Sequence, residues 1–303
     1  MDRTVEMSKK RVLCIAECCC DLIFAGMPGI PRLGEEIYGS DFVIKPGGGA
    51  NTPISLSLLG TPVSMLTALG DDDMGRQIGE TLKKSGVRLW GRQHRPGTRT
   101  AVSAVMSTDT DRCFASYGGT GGLDWDILET AIAQTDIVQT YLGYCRQQPI
   151  ARLCEKHGKM LCVDANYADV QDREAALAAL PGIDYLKVNE QEAVCLSGCE
   201  DAEAALSFLG SRTKCGVIVT RGSRGGIAMD HGKPYTFSAV NMGKFRDACG
   251  AGDNFAAGFL SGISQGKTFP QALESGSRLA GLAVTWYGGN DQTLNCTKLD
   301  TMF

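Results

Sequence analysis

The chain has 303 residues, 43% hydrophobic and 21% charged, a balance that buries a sizeable core and excludes a largely disordered protein. Acidic residues exceed basic ones by 34 to 30 and the Lys and Arg are scattered, so a nucleic-acid partner is not expected. No apolar run nears the roughly 20 residues of a membrane span, and residues 1–11 lack the apolar core of a secretory leader, so thirteen cysteines fit a soluble, cytoplasmic, reduced protein without a membrane partner.

In chain order, residues 12–16 form a short apolar run of the kind that makes a buried parallel strand. Cys18, Cys19 and Cys20 follow. Neighbours in an extended segment point to opposite sides, so these thiols cannot converge on one ion. With His94, His157 and His231 the only histidines and no Cys-x-x-Cys pair, free thiols are expected rather than zinc. Residues 22–45 are rich in Gly and Pro and hold Glu36-Ile37-Tyr38 and Phe42-Val43-Ile44, which read as a strand pair. Pro46-Gly47-Gly48-Gly49-Ala50-Asn51-Thr52-Pro53 then leads into a helix marked by Ile54, Leu58 and Leu59 and ended by Gly60. Three successive glycines permit positive φ and close approach to a ligand, and Asn51 either contacts that ligand or caps the helix. Residues 101–106 and 113–117, around a polar turn at 108–111, read as a second strand pair. The two pairs form a small sheet outside the main one, either a lid over a site or static edge strands.

Further apolar runs at 136–139, 161–163, 185–188 and 217–220 alternate with helical patterns such as 173–180 and 202–209. The alternation predicts an α/β protein with a mainly parallel sheet covered on both faces. Near the end, Asp247-Ala248-Cys249-Gly250-Ala251-Gly252-Asp253 precedes a helix from about Gly252, with Phe255, Phe259 and Ile263 on its buried face. Small residues at 250–252 leave the first helical amides open to a phosphate, and the helix dipole favours the anion. Asp253 is either a first-turn acid stabilised by that dipole or a base beside the anion. Neither glycine segment fits the Walker pattern or a well-placed Gly-x-Gly-x-x-Gly.

Together the 47–51 segment and the Gly-Ala-Gly-Asp run resemble the two signature regions of the ribokinase-like (PfkB) carbohydrate kinase family, over about residues 11–290. The resemblance implies a three-layer α/β ribokinase-like fold, with a central, mostly parallel sheet and a small β-sheet lid. One kinase domain would span 1–303, with lid insertions at about 22–45 and 100–117. It implies transfer of the γ-phosphate of ATP, with Mg²⁺, to a hydroxyl of a small sugar-like substrate. Gly250, Ala251 and Gly252 would then hold the γ-phosphate and Asp253 would take the proton. Asp21, Gly47, Gly48 and Asn51 match substrate-contacting positions. Asn189, Thr220, Gly222 and Gly225 match nucleotide positions, and a helix near 277–283 would cover the adenine. Glu192, otherwise an ordinary helix acid, matches the carboxylate that helps hold hydrated Mg²⁺, and Asp247 the place where many relatives bind a monovalent cation such as K⁺.

Departures from the pattern narrow the reading. Gly48 stands where ribokinases proper carry Lys, which disfavours ribose. Ala248 and Cys249 replace two threonines near the cation but leave the backbone anion hole intact. The family's Asp-x-Asn-x-Arg stretch appears as Asp164-Ala165-Asn166-Tyr167-Ala168, without its Arg. A nucleoside kinase of the same fold would need aromatic lid residues to stack a base, with Phe24, Phe42 and Tyr117 as candidates. A non-catalytic sugar- or nucleotide-binding regulator is opposed by the retained Asp253 and glycines. The exposed edges of a lid sheet invite pairing into a homodimer.

Overall fold

The computed structural model describes residues 9–108 and 112–291. β1 (Val12–Ile15) is buried throughout, and only two residues separate it from β2 (Cys18–Met27), which leaves the main sheet. β3 (Asp41–Gly48) returns antiparallel to β2. Next come α1 (Asn51–Leu58), β4 (Val63–Leu66), α2 (Asp73–Lys84) and β5 (Arg88–Trp90). β6 (Ala101–Thr108) and β7 (Arg112–Tyr117) join the first pair in a separate four-stranded sheet, ordered β3-β2-β6-β7. Of the turn expected at 108–111, residues 109–111 lie outside the described residues.

Beyond the small sheet the chain alternates helix and strand. α3 (Leu128–Ala133), β8 (Ile137–Tyr141), α4 (Leu142–Gln147), α5 (Ile150–Lys156) and β9 (Met160–Asp164) come first. α6 (Arg173–Ala179), β10 (Tyr185–Asn189), α7 (Glu190–Ser197), α8 (Ala202–Gly210) and β11 (Gly216–Thr220) continue the pattern. The hairpin of β12 (Gly226–Asp230) and β13 (Lys233–Phe237) ends the main sheet, and α9 (Ala251–Ser264) and α10 (Phe269–Ala283) close the fold.

The main sheet has nine strands in the order β13-β12-β11-β10-β9-β8-β1-β4-β5, all parallel except the β12–β13 hairpin. Successive side chains of a strand point to opposite faces, and β1 shows the result. Val12 and Cys14 join a core with Ile54, Phe255, Phe259 and Leu273, while Leu13 and Ile15 join a second core with Ile132, Ile150, Leu196 and Leu209. Helices therefore lie on both faces, giving three layers. Strand order reverses about β1, with β8 on one side and β4 on the other, and ligands of open parallel sheets sit beyond the carboxyl ends at such a switch. Tyr141, Asp164, Asn189 and Thr220 are the residues at those ends.

Two sequence expectations need correction. Glu36-Ile37-Tyr38 is not a strand. Pro28, Gly29, Pro31 and Gly34 interrupt the segment before it, and Tyr38 is left exposed. The small sheet begins at Cys18 rather than in the 22–45 segment, because the cysteines pair with Gly48, Gly47 and Pro46 of β3. All cysteines among the described residues are free, and no group of three or more His, Cys, Asp or Glu there could hold a metal. No helix among them is long and apolar enough to cross a membrane.

Candidate active site

α9 begins at Ala251 behind Gly250, whose φ of +71° is left-handed. A Cβ at that position would lie 2.3 Å from Gly289 Cα, so both torsion and space call for glycine. No side chain caps this helix; Ala251 N donates to Ala248 O at 3.3 Å, and Ala251 and Gly252 form part of the wall of a cleft. The rest of the helix is fixed by burial. Phe255 packs on Phe237, and Phe259 on Tyr185 and Phe269.

Asp253, in the first turn, does not fold back onto the helix. Its Oδ2 accepts Asn51 Nδ2 at 2.9 Å and its Oδ1 accepts Tyr141 Oη at 3.2 Å. Desolvation raises its carboxyl above the ordinary range, while Asn51, Lys187 and Tyr141 act to lower it. Asn51 is not the cap either. It is the first residue of α1, and its Oδ1 accepts Asn290 Nδ2 at 2.9 Å. α1 and α9 are further stitched by Thr52 Oγ1, which donates to Asp253 O, and Ser55 Oγ, which donates to Asn254 Oδ1.

Asp21 reaches the same space from β2. It is 5% exposed and accepts Cys19 Sγ at 3.1 Å, and a Cβ on Gly47 would lie only 1.9 Å from its Oδ2. Glycine at 47 is what makes room for the carboxylate. Burial pushes Asp21 up to about 6, against the Cys19 hydrogen bond and with help from the charges of Asp253 and Asp247. Gly48, with φ of +57°, turns the chain beside Cys19.

Two residues that act on Asp253 escaped the sequence reading. Tyr141 is one; Lys187, on β10, is the other. Lys187 Nζ lies 3.4 Å from Asp164 Oδ2, its buried ion-pair partner, and 3.4 Å from where a Cβ of Gly252 would stand. Burial opposes the ammonium, but Asp164, Asp253 and Glu192 together raise its affinity for the proton. Asp164 is pushed up to about 7 by burial, which Lys187 opposes. The sequence signal was present: a lone Lys in the otherwise apolar strand Tyr185-Leu186-Lys187-Val188.

Asn189 and Glu192 cap α7 reciprocally, each side chain accepting the other's backbone amide at 2.8 Å. Glu192 is 9% exposed and burial raises its carboxyl. One amide and one buried carboxylate suit a hydrated Mg²⁺ that rests chiefly on phosphate and water.

A cleft of about 1050 Å³ runs from Ala251 and Gly252 past Asn189, Thr220 and Gly222 to Ser277 on α10. Gly225 lines it too, at a tight crossing beneath Phe237 O. Thr220 turns its hydroxyl to Val188 O at 3.4 Å, and Arg112 of β7 reaches the same cleft. Asp247, 2% exposed, does not present an open carboxylate: Oδ1 accepts Cys249 N at 2.9 Å and Oδ2 accepts Gly288 N at 3.0 Å. Phe24, Phe42 and Tyr117 lie on the opposite face of the small sheet from Asp21, since Cys20, Val102 and Tyr117 share one register line and Asp21, Ser103 and Ser116 the next.

A family model described as pfkB family carbohydrate kinase matches residues 9–295. Fructoselysine 6-kinase of Escherichia coli (strain K12) is 28% identical over 284 residues, covering 92% of this chain and 99% of that one. Ribokinase of Bacillus subtilis (strain 168) is 26% identical over 287 residues, covering 92% and 94%. Among solved structures, adenosine kinase from Sinorhizobium meliloti superposes with a TM-score of 0.83 at 22% identity, covering 98% of this chain and all of that one. Arabidopsis thaliana ribokinase complexed with ribose and ATP gives 0.82 at 24% identity, covering 98% and 99%. These likenesses establish the ribokinase-type fold.

Proposed function

The chain belongs to the pfkB family of carbohydrate kinases, and we propose that it transfers the γ-phosphate of ATP to a hydroxyl of a small carbohydrate or sugar-like substrate, with Asp253 as the base. The observation that carries this reading is a carboxylate held by Asn51 and Tyr141 in the first turn of a helix that has no side-chain cap and whose first residues, Ala251 and Gly252, line a cleft. Phosphoryl transfer needs positioning and charge stabilisation more than covalent chemistry. Asp21 accepts substrate hydroxyls beside Gly47, Gly48 and Asn51, which orients the attacking oxygen toward Asp253. Asp253 takes its proton. The amides at 250–252 and the Lys187 ammonium bind the negative charge of the transferring group. Asn189, Thr220, Gly222 and Gly225 bind the nucleotide, and Arg112 adds charge from the lid. Glu192 would help hold a hydrated Mg²⁺, which would supply charge neutralisation of the phosphates.

The lid is made of two segments that leave and rejoin one kinase domain, and the protein works in the cytoplasm. The lid's outer face carries Phe24 and Phe42, rings 5.1 Å apart, beside exposed Ile44 and Tyr117, and it pairs with a second copy. These aromatics point away from Asp21, whereas the exposed Phe114 shares the Asp21 face through its pairing with Val105 and Ile23. The test is an ADP-release assay with Mg-ATP across ketoses, aldoses, sugar acids, glycated amines and nucleosides, run beside Asp253→Asn. Substrate-dependent turnover that falls by about 10²- to 10⁴-fold in the variant supports the reading; turnover that survives the substitution removes Asp253 from its role.

A further inference from the structure

We propose that the Lys45 ammonium is a resident cation, standing where a bound monovalent ion would sit beside Asp247, and that it fastens the lid to the loop backing the anion hole. The inference rests on the kinase reading above. Lys45 lies on β3, directly across from Asp21 in the β2–β3 register. Its Nζ donates to Tyr287 O and to Asn290 O, each at 2.7 Å, although both lie more than 240 residues further along the chain. Two converging backbone carbonyls near a buried carboxylate make a cation site. Here a side chain fills it.

Asp247 is committed in the same way. Each of its oxygens accepts one backbone amide, and one of these is Gly288 N in the very loop that Lys45 grips. The lysine stem is seated as well: a Cβ on Gly288 would lie 3.2 Å from Lys45 Cδ and 2.7 Å from Ile23 Cδ1. Burial weakens the ammonium's hold on its proton, and the charges of Asp291 and Asp247 act against that loss.

The grip is transmitted to the reacting end. Gly289 packs against Gly250, the residue that opens the anion hole, and Asn290 donates to Pro46 O and Asn51 Oδ1. Asn51 in turn donates to Asp253. An exchangeable ion could occupy the loop whatever the lid was doing. A tethered ammonium arrives only when β3 is docked, so lid docking and ordering of the loop become one event. Lys45 is a positioning residue in this scheme.

The experiment compares binding of a non-hydrolysable Mg-ATP analogue in potassium chloride and in tetramethylammonium chloride at equal ionic strength, with melting temperatures recorded alongside. Wild type and Lys45→Arg are expected to be indifferent to the salt. Lys45→Met, which keeps the stem, is expected to bind about ten-fold more weakly in tetramethylammonium and to recover part of that in potassium. The proposal falls if wild type binds several-fold more tightly in potassium, or if Lys45→Met shows no potassium response. Should Lys45→Met not fold, the salt response of wild type alone decides. Absence of nucleotide binding by wild type in both salts would instead refute the kinase reading, and the melting temperatures would then carry the comparison.

Discussion

Asp21→Asn is expected to stabilise the unliganded protein while abolishing its activity. Asp21 is 5% exposed and its carboxyl is pushed up to about 6 from 3.8. The folded chain therefore holds this proton more tightly than the unfolded chain does. Between pH of about 4 and 6 stability falls as pH rises, and above that window the whole penalty of keeping a buried anion is present. Two pKa units correspond to ~3 kcal/mol as an upper figure, or about 5 °C in melting temperature for a chain of this size. The amide of Asn is isosteric, fits the space left by Gly47, and carries no charge. Thermal melts of both proteins from pH 5 to 8 should diverge with rising pH, the variant melting higher at pH 7.5, while substrate-dependent ADP release is lost. Asp164 also titrates near this range, pushed up to about 7, so the quantity that matters is the difference between the two proteins. Equal melting temperatures at pH 7.5 with parallel slopes would refute the assignment of an ionised, desolvated Asp21.

Tyr141→Phe removes the donor to Asp253 Oδ1, which raises that carboxyl further; turnover should fall about ten-fold, and the acid limb of the kcat/KM profile should move to higher pH. Lys187→Met takes the ammonium from among Asp164, Asp253 and Glu192, and nucleotide titrations should show Mg-ATP binding about 10- to 100-fold weaker. Gly250→Ala forces a left-handed alanine against Gly289, so calorimetry should record a loss of at least ~1–2 kcal/mol together with weaker nucleotide binding.

How much of this was legible in the sequence depended on the range of the signal. The runs at 12–16, 161–163, 185–188 and 217–220 are apolar because both faces of a parallel sheet are covered, and local composition carries that information. The start of α9 at Ala251 was likewise written in the residues around it. Asn51 was not: its partners Asp253 and Asn290 lie 202 and 239 residues away, and nothing in the Gly-rich segment distinguishes a cap from a cross-link between helices. Tyr141 and Lys187 become site residues only through strand order, which brings the ends of β8, β9 and β10 together. Glu36-Ile37-Tyr38 has strand-like composition but no partner strand. Lys45 finds its partners Tyr287 O and Asn290 O 242 and 245 residues away, beyond the reach of any local signal.

The short step from β1 to β2 has a mechanical consequence. Only Ala16 and Glu17 intervene, and the returning strand is pinned at the same place, where Gly49 N donates to Glu17 O at 2.9 Å. The small sheet is thus a lever whose fulcrum sits beside the reacting groups and whose far end is at Met27. The nine steps from Cys18 to Met27 span about 30 Å, so a tilt of about 10° at the root moves the tip by about 5 Å and Asp21, three steps along, by less than about 2 Å. Such a lever can yield to the length of a substrate at its tip while keeping the hydroxyl end in register at its root.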